Sequence, residues 1–148
     1  MKALSLTQPW ASLVAMSAKQ VETRSWTTAH RGRIAIHAAK GFPRSAKDLC
    51  EEAPFNLFTP DWKTLPLGAI VGVATIVDVI KSEKWRSFFA VRSGWENEKA
   101  FGDYSDARYG WYFRDIKLLP EPIPCKGALG LWKVPAEIKA QIKAIGVV

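Results

Sequence analysis

With 148 residues, 48% of them hydrophobic and 24% charged, the chain is sized for one domain over 1–148 that buries its own core, and its apolar content excludes a disordered chain. The net charge of +7 gathers in residues 1–48, where eight lysines and arginines face only Glu22 and Asp48; such a field draws polyanions unless it is a solvated face. No window reaches the roughly 18 to 20 uncharged apolar residues of a membrane span, no secretory h-region opens the chain, and Cys50, Cys125, His30 and His37 lack disulfide-framework and zinc spacing, so a cytoplasmic protein without membrane, metal or cofactor is expected.

In chain order, Ala3, Leu4 and Leu6 mark a first strand over 1–6. Thr7 or Gln8 then caps a short helix opened by Pro9, whose missing N–H costs nothing in a first turn, and Trp10, Leu13, Val14 and Ser17 recur at helical spacing. From Lys19 the period changes to two: Gln20, Glu22, Arg24 and Trp26 share one side of a strand, and Lys19, Val21, Thr23 and Ser25 the other. Turn-type residues 27–32 lead into a second alternating strand, 33–39. Ile34, Ile36 and Ala38 face inward there and Arg33, Ala35 and His37 outward, so the two strands read as a hairpin.

Ser45 caps a short helix through Ala53, with Leu49 on its inner side, and Pro54 stops it. PFNLFTPDWKTLP, residues 54–66, reads as an ordered surface loop whose aromatic residues pack down. Gly68 to Ile80 has the Val/Ile/Ala composition of a long strand buried on both faces and bent at Gly72. Lys84 to Phe101 mixes helical spacing of Trp85, Phe88 and Phe89 with a break at Gly94. Tyr109 to Ile116 is a strand, Pro120, Pro122 and Pro124 punctuate a turn, and a short strand follows around 129–134. Pro135 opens a C-terminal helix with Ile138, Ile142 and Ile145 on one face; Gly146 ends it, and it is too short to be stable undocked. Five or six strands, several short helices and no βαβ alternation predict an α+β domain with a mostly antiparallel, barrel-like sheet.

QPWASL (Gln8 to Leu13), Lys19, ETRSW (Glu22 to Trp26) and RGRIAIHAAK (Arg31 to Lys40) resemble the signature of the ASCH domain, within the PUA-like superfamily. LGAIVGVATIVDVI, FGDYSDARYGWYF and PIPCKGALGLW resemble the second half of its bacterial and phage-type members, so the resemblance spans nearly the whole chain. It implies a small β-barrel with peripheral helices around a cleft that receives nucleic acid or a modified nucleobase. PUA relatives bind RNA, and ASCH-like proteins divide among nucleic-acid binders, ribonucleases and amidohydrolases that deacylate N4-acetylcytidine. In the amidohydrolase branch the lysine matching Lys19 is followed three positions on by a threonine; here Glu22 stands there, with Thr23 beside it.

The stretch from Ser5 to Lys40 therefore holds the candidate site. Lys19, between helix and strand, is a base if desolvation lowers its pKa, otherwise a phosphate contact or a surface charge. Glu22 and Arg24 either pair with each other, or accept from a base amine and hold a phosphate respectively. Lys19 and Glu22 form the catalytic pair if there is one. Gln8, Trp10, Arg24, Ser25 and Trp26 are the expected nucleic-acid contacts, the indoles by stacking unless they are core. Arg31, Arg33, His37 and Lys40 form a basic rim, and Tyr109, with Ser105, closes the far side. Two readings follow: a nucleic-acid-binding domain with a basic cleft, RNA its partner, or a metal-independent hydrolase acting on RNA or a modified nucleoside. A protein-interaction patch at Trp62 and the proline-rich loop is a third.

Overall fold

The apolar run after Gly68 becomes the spine of the fold. In a computed structural model describing residues 1–148, β4 (Ala69–Lys81) pairs antiparallel with β3 (Gly32–Ala38) on one side and β5 (Tyr109–Pro124) on the other. β1 (Lys2–Leu6) runs parallel to β3, β6 (Leu131–Lys133) antiparallel to β1, and β2 (Val21–Arg24) antiparallel to β5. The resulting order β2-β5-β4-β3-β1-β6 is a curled half-barrel with five helices around it, an α+β fold.

Strand alternation sorts the core onto two faces. Leu4, Leu6, Ile34, Ile36, Ala74 and Ile76 pack against Ala11, Val14 and Ala15 of α1 (Trp10–Ala15). Ala3, Ala35, Ile70 and Val73 pack on the opposite face with Trp132 and with Ile138 and Ile142 of α5 (Ala136–Ile145). β3 is thus buried on both sides, and Ala35 and His37, expected outward, lie inside. Ile145 stays exposed, and Gly146, at φ +86°, closes α5 in the left-handed conformation a glycine accepts freely.

The expected hairpin of β2 and β3 does not form, because β5 and β4 lie between them. Central positions reward strands that are apolar on both faces, as β3 is; β2, carrying Glu22 and Arg24, goes to the edge. The prolines of β5 do not make a turn either. Leu118 stands opposite Gly72 and Ile123 opposite Ile70, so residues 119–122 bulge opposite Val71 alone. β2 covers only Tyr109–Tyr112 on the other side, and Pro120 and Pro122 therefore break no ladder bond there.

The first helix begins as its sequence suggests: the Gln8 side-chain carbonyl accepts the Ser12 N–H at 3.0 Å. α2 (Arg44–Leu49) is shorter than expected, and two 3-10 turns, Phe55–Leu57 and Trp62–Thr64, order the loop after it, with Phe55 buried. Trp62 packs edge-on to Phe42 under the Lys47 ammonium. The ambiguous stretch resolves into α3 (Ser82–Ala90) and α4 (Glu96–Phe101), separated by Gly94 at φ +90°.

Gly72 permits a close approach of α1 to the sheet. A Cβ there would lie 2.8 Å from the Lys117 carbonyl oxygen and 3.0 Å from Ala15 Cβ. The Gly72→Ala variant is expected to unfold at lower denaturant, losing about 1–3 kcal/mol, as chemical denaturation followed by tryptophan fluorescence will read.

Candidate functional site

A cleft of about 560 Å3 opens between α1, β2, the end of α4 and the segment after β2. Trp10, Trp26, Phe55 and Phe101 form its apolar walls. Each indole is held by the fold at one edge and partly exposed at the other. Trp10 Nε1 donates to the Phe101 carbonyl at 2.7 Å and its ring meets Phe55 edge-on. Trp26 meets the buried Trp111 edge-on at 4.8 Å, and Trp111 Nε1 donates to the Trp26 carbonyl. Neither indole is a core residue in the way Trp111 is.

The floor is β2. Its alternation turns Glu22 and Arg24 into the cleft together, as the period of two requires. Lys19 precedes the strand in a turn and folds beneath it, fully buried, its ammonium donating to the Val21 carbonyl and standing 3.3 Å from Glu22 Oε1. On the other side Arg24 Nε lies 3.2 Å from Glu22 Oε2, and Arg24 Nη2 donates to the Ser5 carbonyl at 2.7 Å. One carboxylate is thus held between two cations at the bottom of an aromatic-walled cavity. Behind it lies Glu98, buried, accepting the Gln20 N–H. Burial pushes the Glu98 carboxyl above the usual carboxylate range; the nearby Lys19 ammonium and the Gln20 and Val21 N–H groups oppose that rise, and the Glu22 carboxylate adds to it. Burial likewise raises the Tyr104 phenol, with Glu98 and Glu22 adding to it.

Asp103 and Arg108 complete the rim. Arg108 donates through Nε to the Asp103 carbonyl and through Nη2 to the Thr23 carbonyl, while Thr23 Oγ1 accepts the Asp103 N–H at 3.1 Å. The lining therefore carries Glu22 and Asp103 as well as Arg24 and Arg108, a balanced set rather than the basic one expected.

Of the anticipated residues, Trp10, Glu22, Arg24, Ser25 and Trp26 meet in this cleft, with Lys19 directly under it. The others stand elsewhere, each for a visible reason. Gln8 is fully buried, its amide donating to Ser12 Oγ and the Pro66 carbonyl, and is a structural clamp rather than a ligand contact. Arg33 is spent on Thr75 Oγ1 and the carbonyls of Asp115 and Val147. Arg31 stands 3.7 Å from Asp78 at the surface. His37 is buried against Trp132 and lies, with the exposed Lys40, beside a different cavity. Tyr109 sits opposite Arg24 in the ladder with its ring on the core, and Ser105 accepts the Ser82 hydroxyl through its carbonyl. The basic rim is dispersed because β3 is central, so its polar side chains point away from the β2 edge. Ser5, Thr7, Asp103 and Arg108 were not anticipated in the lining, nor Glu98 behind the floor; FGDYSDARYG held the only signal, an acidic and basic cluster among aromatics. No three His, Cys, Asp or Glu side chains stand close enough together to hold a metal ion.

A family model described as "ASCH domain" matches residues 4–124. Activating signal cointegrator 1 from Homo sapiens is 30% identical over 144 residues, covering 91% of this chain, and that from Mus musculus is 30% identical over 143 residues. The chain spans 22% of the length of these relatives. The crystal structure of ASCH from Zymomonas mobilis superposes with a TM-score of 0.58 at 15% identity over 97% of this chain and 93% of that one; its tyrosine-to-phenylalanine mutant gives 0.58 over 97% and 96%. At that identity the likeness is one of fold.

Removing Glu22 leaves the Lys19 ammonium buried without its carboxylate. Glu22→Ala is expected to lose about 3–5 kcal/mol of stability, and Lys19→Met in the same chain to recover most of it, because a buried pair lost together costs far less than half a pair; urea denaturation of the two variants checks this. Burial holds the His37 imidazole below its ordinary value, and the Cys125 carbonyl only partly offsets that. The unfolded state therefore binds the proton more readily, so stability is full above the ordinary imidazole value of 6.5 and falls as pH drops below it. A urea midpoint that declines from pH 7.5 to pH 5.5, and declines less in His37→Gln, is the expected result.

Proposed function

Because this chain belongs to the ASCH domain family and has its PUA-like fold, we propose that its cleft binds RNA by taking in one unpaired base. The observation that carries this reading is the buried Glu22 carboxylate at the floor of a cavity of about 560 Å3 flanked by two partly exposed indoles. The volume suits a nucleoside. Trp10 and Trp26 offer faces on which any base stacks. Glu22 supplies the selectivity. An ionised carboxylate only accepts, and its two oxygens offer about four lone-pair sites; Lys19 takes one at Oε1, while Arg24 Nε stands 3.2 Å from Oε2 as an ion pair without a hydrogen bond. The free sites accept from the exocyclic amine of cytosine, adenine or guanine, which uracil lacks. Lys19 is then a positioning residue, fixing the carboxylate from below.

Metal-independent hydrolysis of RNA or of an acylated nucleoside is the second reading, favoured by the same Lys19–Glu22 pair beside the Thr23 hydroxyl. A carboxylate so fixed is placed to move a proton.

Quenching of tryptophan fluorescence by seven-nucleotide oligo(C), oligo(A) and oligo(U) tests the first reading. Oligo(C) and oligo(A) are expected to bind at low salt, more weakly as salt rises, and oligo(U) about tenfold less tightly. Glu22→Gln should erase that preference, and Trp26→Ala should cost about 1–3 kcal/mol of binding. Equal affinity for all three oligomers, or no binding at low salt, overturns the recognition reading. Incubation of labelled RNA and N4-acetylcytidine in chelator, with product lost in Glu22→Gln, would establish the hydrolytic one.

A further inference from the structure

The cleft has a neighbour. A second cavity, of about 690 Å3, lies on the other side of Ser5, over the end of β3 and the loop 125–129. Ser5 lines both cavities. On the cleft side its carbonyl receives Arg24 Nη2; on the other its hydroxyl stands 2.9 Å from His37 Nδ1.

The floor of this cavity is wired. His37 Nε2 lies 2.7 Å from the Cys125 carbonyl, which only accepts, so Nε2 carries the imidazole proton and Nδ1 accepts from Ser5 Oγ–H. Trp132 Nε1 donates to the same hydroxyl oxygen at 3.0 Å. These bonds tie the loop down on β3, and Gly127 lies so close that a Cβ there would stand 2.6 Å from His37 Cε1. Lys40 and Lys126 flank the cavity, both exposed. Neither stands in an ion pair, and no acidic side chain lines the cavity. The first cleft balances its charges; this one carries two uncompensated positive charges on a fixed floor.

We infer that the second cavity receives the phosphate flanking the base held in the cleft, so that the ligand is a strand crossing Ser5 and not a free nucleoside. This rests on the base-binding reading of the first cleft. A lysine ammonium is a suitable point charge for a phosphate, and a strand that threads both cavities gains counterion release that a nucleoside does not. On this inference Lys40 contacts nucleic acid through a cavity separate from Glu22.

Titrations of wild type, the Lys40→Ala/Lys126→Ala double variant and Trp26→Ala with cytidine, inorganic phosphate and a labelled seven-nucleotide oligo(C) test the inference. Both lysines are at the surface, so the double variant keeps the fold. It is expected to lose about tenfold in oligomer affinity, with the slope of log affinity against log salt shallower by about 0.7 to 1.4, and to bind cytidine as wild type does. Trp26→Ala should weaken cytidine and oligomer alike. Oligomer binding by the double variant with wild-type affinity and slope overturns the phosphate site while leaving base binding intact. Inorganic phosphate binding wild type as tightly as the oligomer would make this a free-anion site and overturn the crossing strand. Failure of wild type to bind cytidine or oligomer overturns the base-binding reading and this inference with it.

Discussion

A lysine with none of its surface in water has to find acceptors inside the protein, and Lys19 finds two, the Val21 carbonyl and the Glu22 carboxylate. Desolvating an ammonium costs several kcal/mol unless partners of good geometry offset it. Much of the cleft follows from meeting that cost. Glu22 is drawn down to the floor to face Lys19, Arg24 lies across the other carboxylate oxygen, and the remaining guanidinium donor reaches back to Ser5 on β1. Contacts to these three side chains thus link the floor, one wall and the strand between the two cavities. Glu98 is pressed close behind, where burial raises its carboxyl above the usual carboxylate range and the Lys19 ammonium opposes that rise.

The local patterns in the chain were legible where one periodicity served one environment. The alternation of β2, the helix after Pro9 and the long β4 appear where their spacing marks them, and α5 docks through Ile138 and Ile142 though not through Ile145. The meeting of Trp10, Glu22, Arg24, Ser25 and Trp26 was legible too, because four of the five follow one another within a single strand and its exit. What failed was long-range pairing. Two consecutive alternating strands joined by a turn look like a hairpin, and nothing in residues 19–39 says that β4 and β5 will come between them.

The same gap explains the residues placed elsewhere. His37 and Arg33 alternate outward on β3 only if β3 has a solvent face, and a strand fourth in a sheet of six, covered by α1 and α5, has none to spare. Their polarity is absorbed internally, His37 by the loop at Cys125 and Arg33 by the Val147 carbonyl near the C-terminus. Glu98 and Arg108 were invisible for the opposite reason. They come from segments some 80 residues after β2, and only packing of α3 and α4 against β2 and β5 brings them to the floor and rim.

β2 is also an edge of the sheet, four residues long, with its outer rim free of any partner strand. An open rim of this kind is a template on which another extended chain can grow. The Gln20 carbonyl turns inward to Phe113, so the carbonyls of Val21 and Thr23 are the ones that face out. Lys19 takes the first and Arg108 the second. The side chains at the floor and rim of the cleft therefore also occupy the outward carbonyls through which a stray strand would add, which guards this edge against strand addition.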